Sequence, residues 1–134
     1  MDRGSTHKTA NRAKGNIGES VACIFLERKG YRIIRRNYRK PWGEIDIIAE
    51  KSGVVRFVEV KSTILSELEN VAREPNSYRP EELVDERKIA KISRVADFYM
   101  REAVDNRDYQ IDVVAVHLDP GHKKAKCRLI EGVL

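Results

Sequence analysis

The densest hydrophobic stretches of this chain are two short runs on either side of a turn. Ile45-Asp46-Ile47-Ile48-Ala49 and Val54-Val55-Arg56-Phe57-Val58-Glu59-Val60-Lys61 are rich in β-branched residues, with Ser52-Gly53 as a turn signal between them. That pattern predicts a β-hairpin. With Ser52 and Gly53 as the two loop residues, Lys51 faces Val54, Ala49 faces Arg56, Ile48 faces Phe57, and Asp46 lands opposite Glu59. Glu44 then faces Lys61. One face carries Ile48, Val55 and Phe57 near the turn and Glu44, Asp46, Glu59 and Lys61 at the open end. The other (Ile45, Ile47, Val58, Val60) is almost wholly apolar, so both faces need covering elements.

The remaining pattern supplies them. Asn16 as N-cap with Glu19 at the third helical position reads as a capping box. Ile17, Val21, Ala22, Phe25 and Leu26 follow as an apolar face, and Arg28-Lys29-Gly30 is a basic last turn with a glycine stop. Tyr31 to Tyr38 reads as a first strand. Residues 62–80 lack periodicity and predict a long, partly acidic loop of the kind that often serves as a functional flap. A second helix is expected from Glu81 to Val104, with Ile89, Ile92, Ala96, Tyr99 and Ala103 as its stripe. Strands at Ile111–Val116 and Cys127–Ile130 complete the order α-β-β-β-α-β-β. The expectation is an α/β fold with a mixed sheet flanked by helices. Residues 1–15 read as a basic, flexible N-terminal arm and residues 16–134 as a single domain.

The charges interrupting the hairpin carry the candidate chemistry. Directly opposed residues have Cβ atoms roughly 5 Å apart, where two ionised carboxylates repel. Two acids converging beside an ammonium are what a hard cation such as Mg²⁺ requires. The plainer reading is a salt-bridge ladder, with Glu44 on Lys61 and the other acids splayed to solvent; pattern alone leaves both open. Glu-x-Lys recurs at Glu27-Arg28-Lys29 and Glu86-Arg87-Lys88, but in charge-rich helical segments. Asp112, near the entry of its strand, fits a cap, a salt-bridge partner or a site residue.

Composition narrows the partners. In 134 residues the net charge is +5, and no apolar run of membrane-spanning or secretory type appears, so a cytoplasmic protein without a membrane partner is expected. Cys23 and Cys127 are far apart and the three histidines form no ligand pattern, which argues against zinc. Residues 31–42 hold Arg32, Arg35, Arg36, Arg39 and Lys40 without an acid, interleaved with Tyr31, Tyr38 and Trp42. Guanidinium groups beside rings suit phosphate contact and base stacking. A strand edge dressed for solubility, with Trp42 in the core, is the alternative.

These residues together resemble the restriction-endonuclease-like PD-(D/E)xK nuclease superfamily, and more closely its bacterial YraN-like branch. The matching segments are Gly18-Glu19 with Ala22, Gly30, Asn37, Gly43-Glu44-Ile45-Asp46-Ile47-Ile48, Phe57-Val58-Glu59-Val60-Lys61, Lys88 eight residues before Ala96, and Asp112-Val113-Val114. The chain departs from the family pattern at Ser62-Thr63, where an arginine is usual, and at Gln110-Ile111, where Arg-Phe is usual. The resemblance implies a metal-dependent endonuclease, a phosphodiester hydrolase acting on DNA more than RNA and on branched forms among them. Asp46, Glu59 and the carbonyl of Val60 would hold Mg²⁺, with Mn²⁺ able to substitute. Lys61 would position the attacking water or stabilise charge, and Glu19 would complete the catalytic set. Arg35, Arg36, Arg39, Lys40 and Lys88 would contact nucleic acid. A homodimer is compatible, since junction-cutting relatives of this fold pair up. A nucleic-acid-binding module that keeps the fold without cleavage is the competing reading.

Overall fold

The computed structural model describes residues 3–64, 85–119, 121 and 123–133, with side chains from residue 16 onward. The elements are α1 (Arg3–Arg28), β1 (Arg32–Lys40), β2 (Gly43–Lys51), β3 (Val54–Ile64), α2 (Glu86–Glu102), β4 (Tyr109–Asp119) and β5 (Lys124–Ile130). The order is the one expected from the hydrophobic pattern. Boundaries differ in several elements, and β4 and β5 are longer than expected. Helix α1 begins at Arg3, so Asn16 lies inside it and the expected Asn16–Glu19 capping box does not form. Helix α2 begins after Asp85, whose extended backbone and side chain cap the N–H groups of Arg87 and Lys88. The anticipated start at Glu81 and most of the 62–80 loop lie outside the described residues, and β3 itself runs on to Ile64.

The strands form one sheet in the order β1-β2-β3-β4-β5. All neighbours are antiparallel except β3 and β4, which run parallel. A parallel neighbour requires a crossover connection, and α2 lies within it. The amphipathic stripe of α2 (Ile89, Ile92, Val95, Ala96, Met100) covers one face of the sheet with Ile48, Val55, Phe57, Ile111 and Val113. Val95 and Met100 replace the anticipated Ala103 in that stripe; Ala103 is the exposed C-cap. Helix α1 covers the other face, packing Ala22, Cys23 and Leu26 on Ile47, Ala49, Val58, Val114 and Val116. Contact is close because Gly18 has no side chain: a Cβ there would lie 1.7 Å from Ser62 Oγ.

The turn follows its chemistry. Ser52 and Gly53 both take positive φ, 55° and 77°, the pairing that suits a two-residue hairpin loop. The counted register holds from Lys51↔Val54 through Ile48↔Phe57 to Ile47↔Val58, where pairing stops. Beyond that point β3 remains paired to β4 as far as Ile64↔Leu118. The β2–β3 hairpin therefore opens into a fork, with β3 held in place by its other neighbour.

Alternation also breaks at the fork. Ile47 packs on the α1 side, but Ile45 packs with Tyr38 on the α2 side, so the expected grouping of Ile45 with Ile47 is corrected. In β1 the same flip coincides with Asn37, whose φ is 53°. Asparagine tolerates that left-handed conformation better than most residues. Asp46 and Asn37 thus occupy the one level at which the two strands exchange faces.

A carboxylate cluster at the fork between β2 and β3

Asp46 sits where the ladder ends, and its side chain takes over a ladder bond. Its Oδ2 accepts the backbone N–H of Val60 at 2.8 Å. The expected cross-strand pair of Asp46 with Glu59 is replaced by this side-chain bridge, which still ties the two acids' neighbourhoods together. Burial pushes the Asp46 carboxyl up to about 6 against the pull of the Val60 N–H. The negative charges of Glu19 and Glu59 push it further, and Lys88 opposes them. Asp46 therefore senses an acid from the α1 layer and an acid from the α2 side at once.

Glu59 is the most enclosed of the set. Its side chain is 6% exposed and meets Lys88 Nζ at 2.5 Å. Lys88 lies in the first turn of α2, where the Asp85 cap holds its backbone N–H at 3.3 Å. Partial burial works against the Lys88 charge, yet Glu59, with Asp46 and Glu44 behind it, holds its pKa above the ordinary lysine value. Lys61, two residues along β3 on the Glu59 face, is exposed. Glu44 Oε2 meets Arg39 Nε at 3.0 Å.

Glu19 reaches the cluster from α1. Burial raises its pKa, Arg36 and a hydrogen bond with Asn37 pull it down, and Glu44 pushes it up again. Arg36 Nη2 stands 3.7 Å from Glu19 Oε1, and that oxygen is buried without a hydrogen-bond partner. Asn37 is the participant that residue-by-residue reasoning left without a role. Its signal was available, since an asparagine breaking a strand pattern marks a left-handed residue.

The basic residues of β1 are distributed more locally than their run suggested. Arg36 joins Glu19, Arg39 joins Glu44, Lys40 Nζ lies 4.0 Å from Glu102, and Arg35 lies over the Tyr38 ring at 4.9 Å. Tyr31 and Tyr38 are core residues, so they are not stacking platforms for bases. Trp42 is 49% exposed and packs edge-on against Phe98 rather than filling the core. The β1 edge of the sheet is charged along its length, which discourages strand pairing and leaves a basic rim beside the acids.

Asp112 lies apart from this cluster. It is fully buried and accepts from Tyr31 Oη at 3.0 Å, Gln110 Nε2 at 2.7 Å and Gly132 N at 2.9 Å, with Arg56 Nη1 at 3.8 Å. Its role is to anchor the residues after β5, not to join the site.

Among the described residues, no three His, Cys, Asp or Glu side chains surround one metal-sized point. The oxygen groups that could be offered to a divalent cation are fewer: Asp46, Glu59 and the Val60 carbonyl, with Glu19 on the α1 side. Glu19 Oε1, buried without a hydrogen-bond partner, is the orphaned acceptor at this opening, where a cation would find a free oxygen.

The sequence of this chain is similar to a set of bacterial proteins. The family described as "Uncharacterised protein family UPF0102" matches residues 18–116, which include every acid of the fork. A UPF0102 protein of Moorella thermoacetica is 37% identical over 123 residues, covering 90% of this chain and 94% of its own. One from Syntrophus aciditrophicus is 40% identical over 114 residues, 84% and 82% of the two chains. One from Campylobacter jejuni is 36% identical over 105 residues, 78% and 84%. No helix among the described residues is long and apolar enough to cross a membrane.

Proposed function

The chain belongs to the uncharacterised protein family UPF0102, and we propose that it is a metal-dependent endonuclease that hydrolyses phosphodiester bonds of nucleic acid, DNA before RNA. The observation that carries this reading is the fork itself. Strand pairing ends one residue short of Asp46 and Glu59, and a half-buried acid with its pKa pushed up to about 6 sits beside a nearly inaccessible one. Charge concentrated this way costs stability unless it serves a ligand.

Asp46, Glu59 and the Val60 carbonyl would hold Mg²⁺ or Mn²⁺. When bound, the cation supplies Lewis acidity that offsets the charge of the scissile phosphate and acidifies a water molecule. The Val60 N–H fixes the Asp46 carboxylate through Oδ2, so its other oxygen is the one that can face a ligand. Lys61 stands exposed beside Glu59, where an ammonium can orient water or meet the charge that grows on phosphorus. Arg36 and Asn37 hold Glu19 at the rim. Arg35, Arg39 and Lys40 give the β1 edge a positive character suited to a phosphate backbone.

One observation favours a second reading, a binding module without cleavage: Lys88 already neutralises Glu59. Incubating the protein and its Asp46→Ala variant with linear, flapped and four-way DNA and with RNA, in Mn²⁺, separates the two. Cleavage of one substrate class that Asp46→Ala abolishes is expected. Binding to all of them without a cut in any would favour the module.

A further inference from the structure

We infer that Lys88 competes with a divalent cation for the Glu59 carboxylate, so that cation binding must displace its ammonium. The inference rests on the cation-binding reading above and assigns Lys88 a positioning role within that site. A carboxylate only 6% exposed needs a counter-charge, and Lys88 Nζ at 2.5 Å supplies one. Magnesium contacts oxygen at about 2.0–2.1 Å. A cation on the Glu59 oxygen that Lys88 holds would therefore lie within about 4.6 Å of the ammonium. Two positive centres that close, with so little water between them, repel strongly.

The fold decides which of the two yields. Glu59 cannot withdraw, because β3 is paired to β4 on both sides of it, Val58↔Asp112 and Val60↔Val114. The backbone of Lys88 cannot withdraw either: the Asp85 cap holds its N–H, and Ile89 next to it is buried in the core. Its side chain can move, since it is 59% exposed and ends in a flexible stem. The displaced ammonium would swing towards solvent at the mouth of the fork, where a phosphate backbone would lie. Contact with Glu59 thus makes Lys88 a gatekeeper of the cation position and not a ligand of substrate alone.

A Mn²⁺ titration by calorimetry of the full-length chain and its Lys88→Met, Asp46→Ala and double variants tests this. Methionine keeps the stem and removes the charge. Lys88→Met is expected to bind Mn²⁺ about tenfold tighter than wild type, with that binding still lost in the Asp46→Ala background. Melting in chelator provides the folding control: Lys88→Met should melt below wild type, because Glu59 loses its partner, and should gain more from Mn²⁺. Equal or weaker Mn²⁺ affinity in Lys88→Met overturns the inference while leaving the cation site standing. Absence of Asp46-dependent binding in both wild type and Lys88→Met overturns the cation-binding reading and the inference with it.

Discussion

Asp46 gathers the electrostatics of the fork in one side chain. Its pKa stands at about 6 against an ordinary 3.8, so the folded state favours the protonated acid. The sign follows from linkage. The stabilising contribution is complete below pH 3.8 and is lost as pH rises through about 6. Asp46→Asn keeps an acceptor for the Val60 N–H and removes the charge. In chelator it should therefore be more stable than wild type at neutral pH by about 2–3 kcal/mol, with the gap closing in acid. Denaturant melts across the pH range read this directly; a variant no more stable at neutral pH would mean the acid is not strained. Lys61 behaves differently. Lys61→Ala should lower cleavage at least about a hundredfold while leaving nucleic-acid affinity within about threefold, as befits a group needed mainly in the transition state. At this scale the hairpin register was legible in the sequence as far as Ile47↔Val58. The flip at Asn37 and Asp46 was not, because counting outward from a turn assumes that alternation never breaks.

Helices α1 and α2 bring side chains to the fork from opposite layers, and small residues decide how closely they approach. Gly18 lets α1 lie against β3 at Ser62, next to Lys61. Gly18→Ala improves helix propensity yet drives a methyl into Ser62 Oγ, so a net loss on the order of 1–3 kcal/mol is expected. Combining it with Ser62→Gly should recover part of that loss, and a double-mutant cycle from urea melts measures the coupling. Two independent, additive losses would contradict the contact. On the other side, Asp85→Ala removes two hydrogen bonds to the first turn of α2 and should cost about 1 kcal/mol. Helix existence and apolar faces were legible from spacing. The helix starts were not: the Asn16–Glu19 pattern meets the rule for a capping box inside a helix that begins earlier. The Asp85 cap of α2 was not legible either, because hydrophobic periodicity says nothing about where backbone turns extended.

Across the whole molecule, the sheet separates a closed polar network at one end from the carboxylate cluster at the other. Near the hairpin turn, Arg56, Asp112, Tyr31 and Glu131 form a closed polar network that pins the segment after β5 to the core. Arg56→Met would leave Asp112 fully buried without its counter-ion, and a loss of about 3 kcal/mol is expected. This network joins residues up to 100 positions apart, so no local pattern announced it. At the opposite end the strands part and the acids gather, and the expected layer order brings Glu19, Asp46, Glu59 and Lys88 to the same opening. Binding of Mn²⁺ at that opening is observable through the loss of its free-ion electron paramagnetic resonance signal. Wild-type protein should deplete the signal saturably, and Asp46→Asn and Glu59→Gln should leave it nearly intact; equal depletion by all three proteins, or none by wild type, would contradict a cation site at the fork.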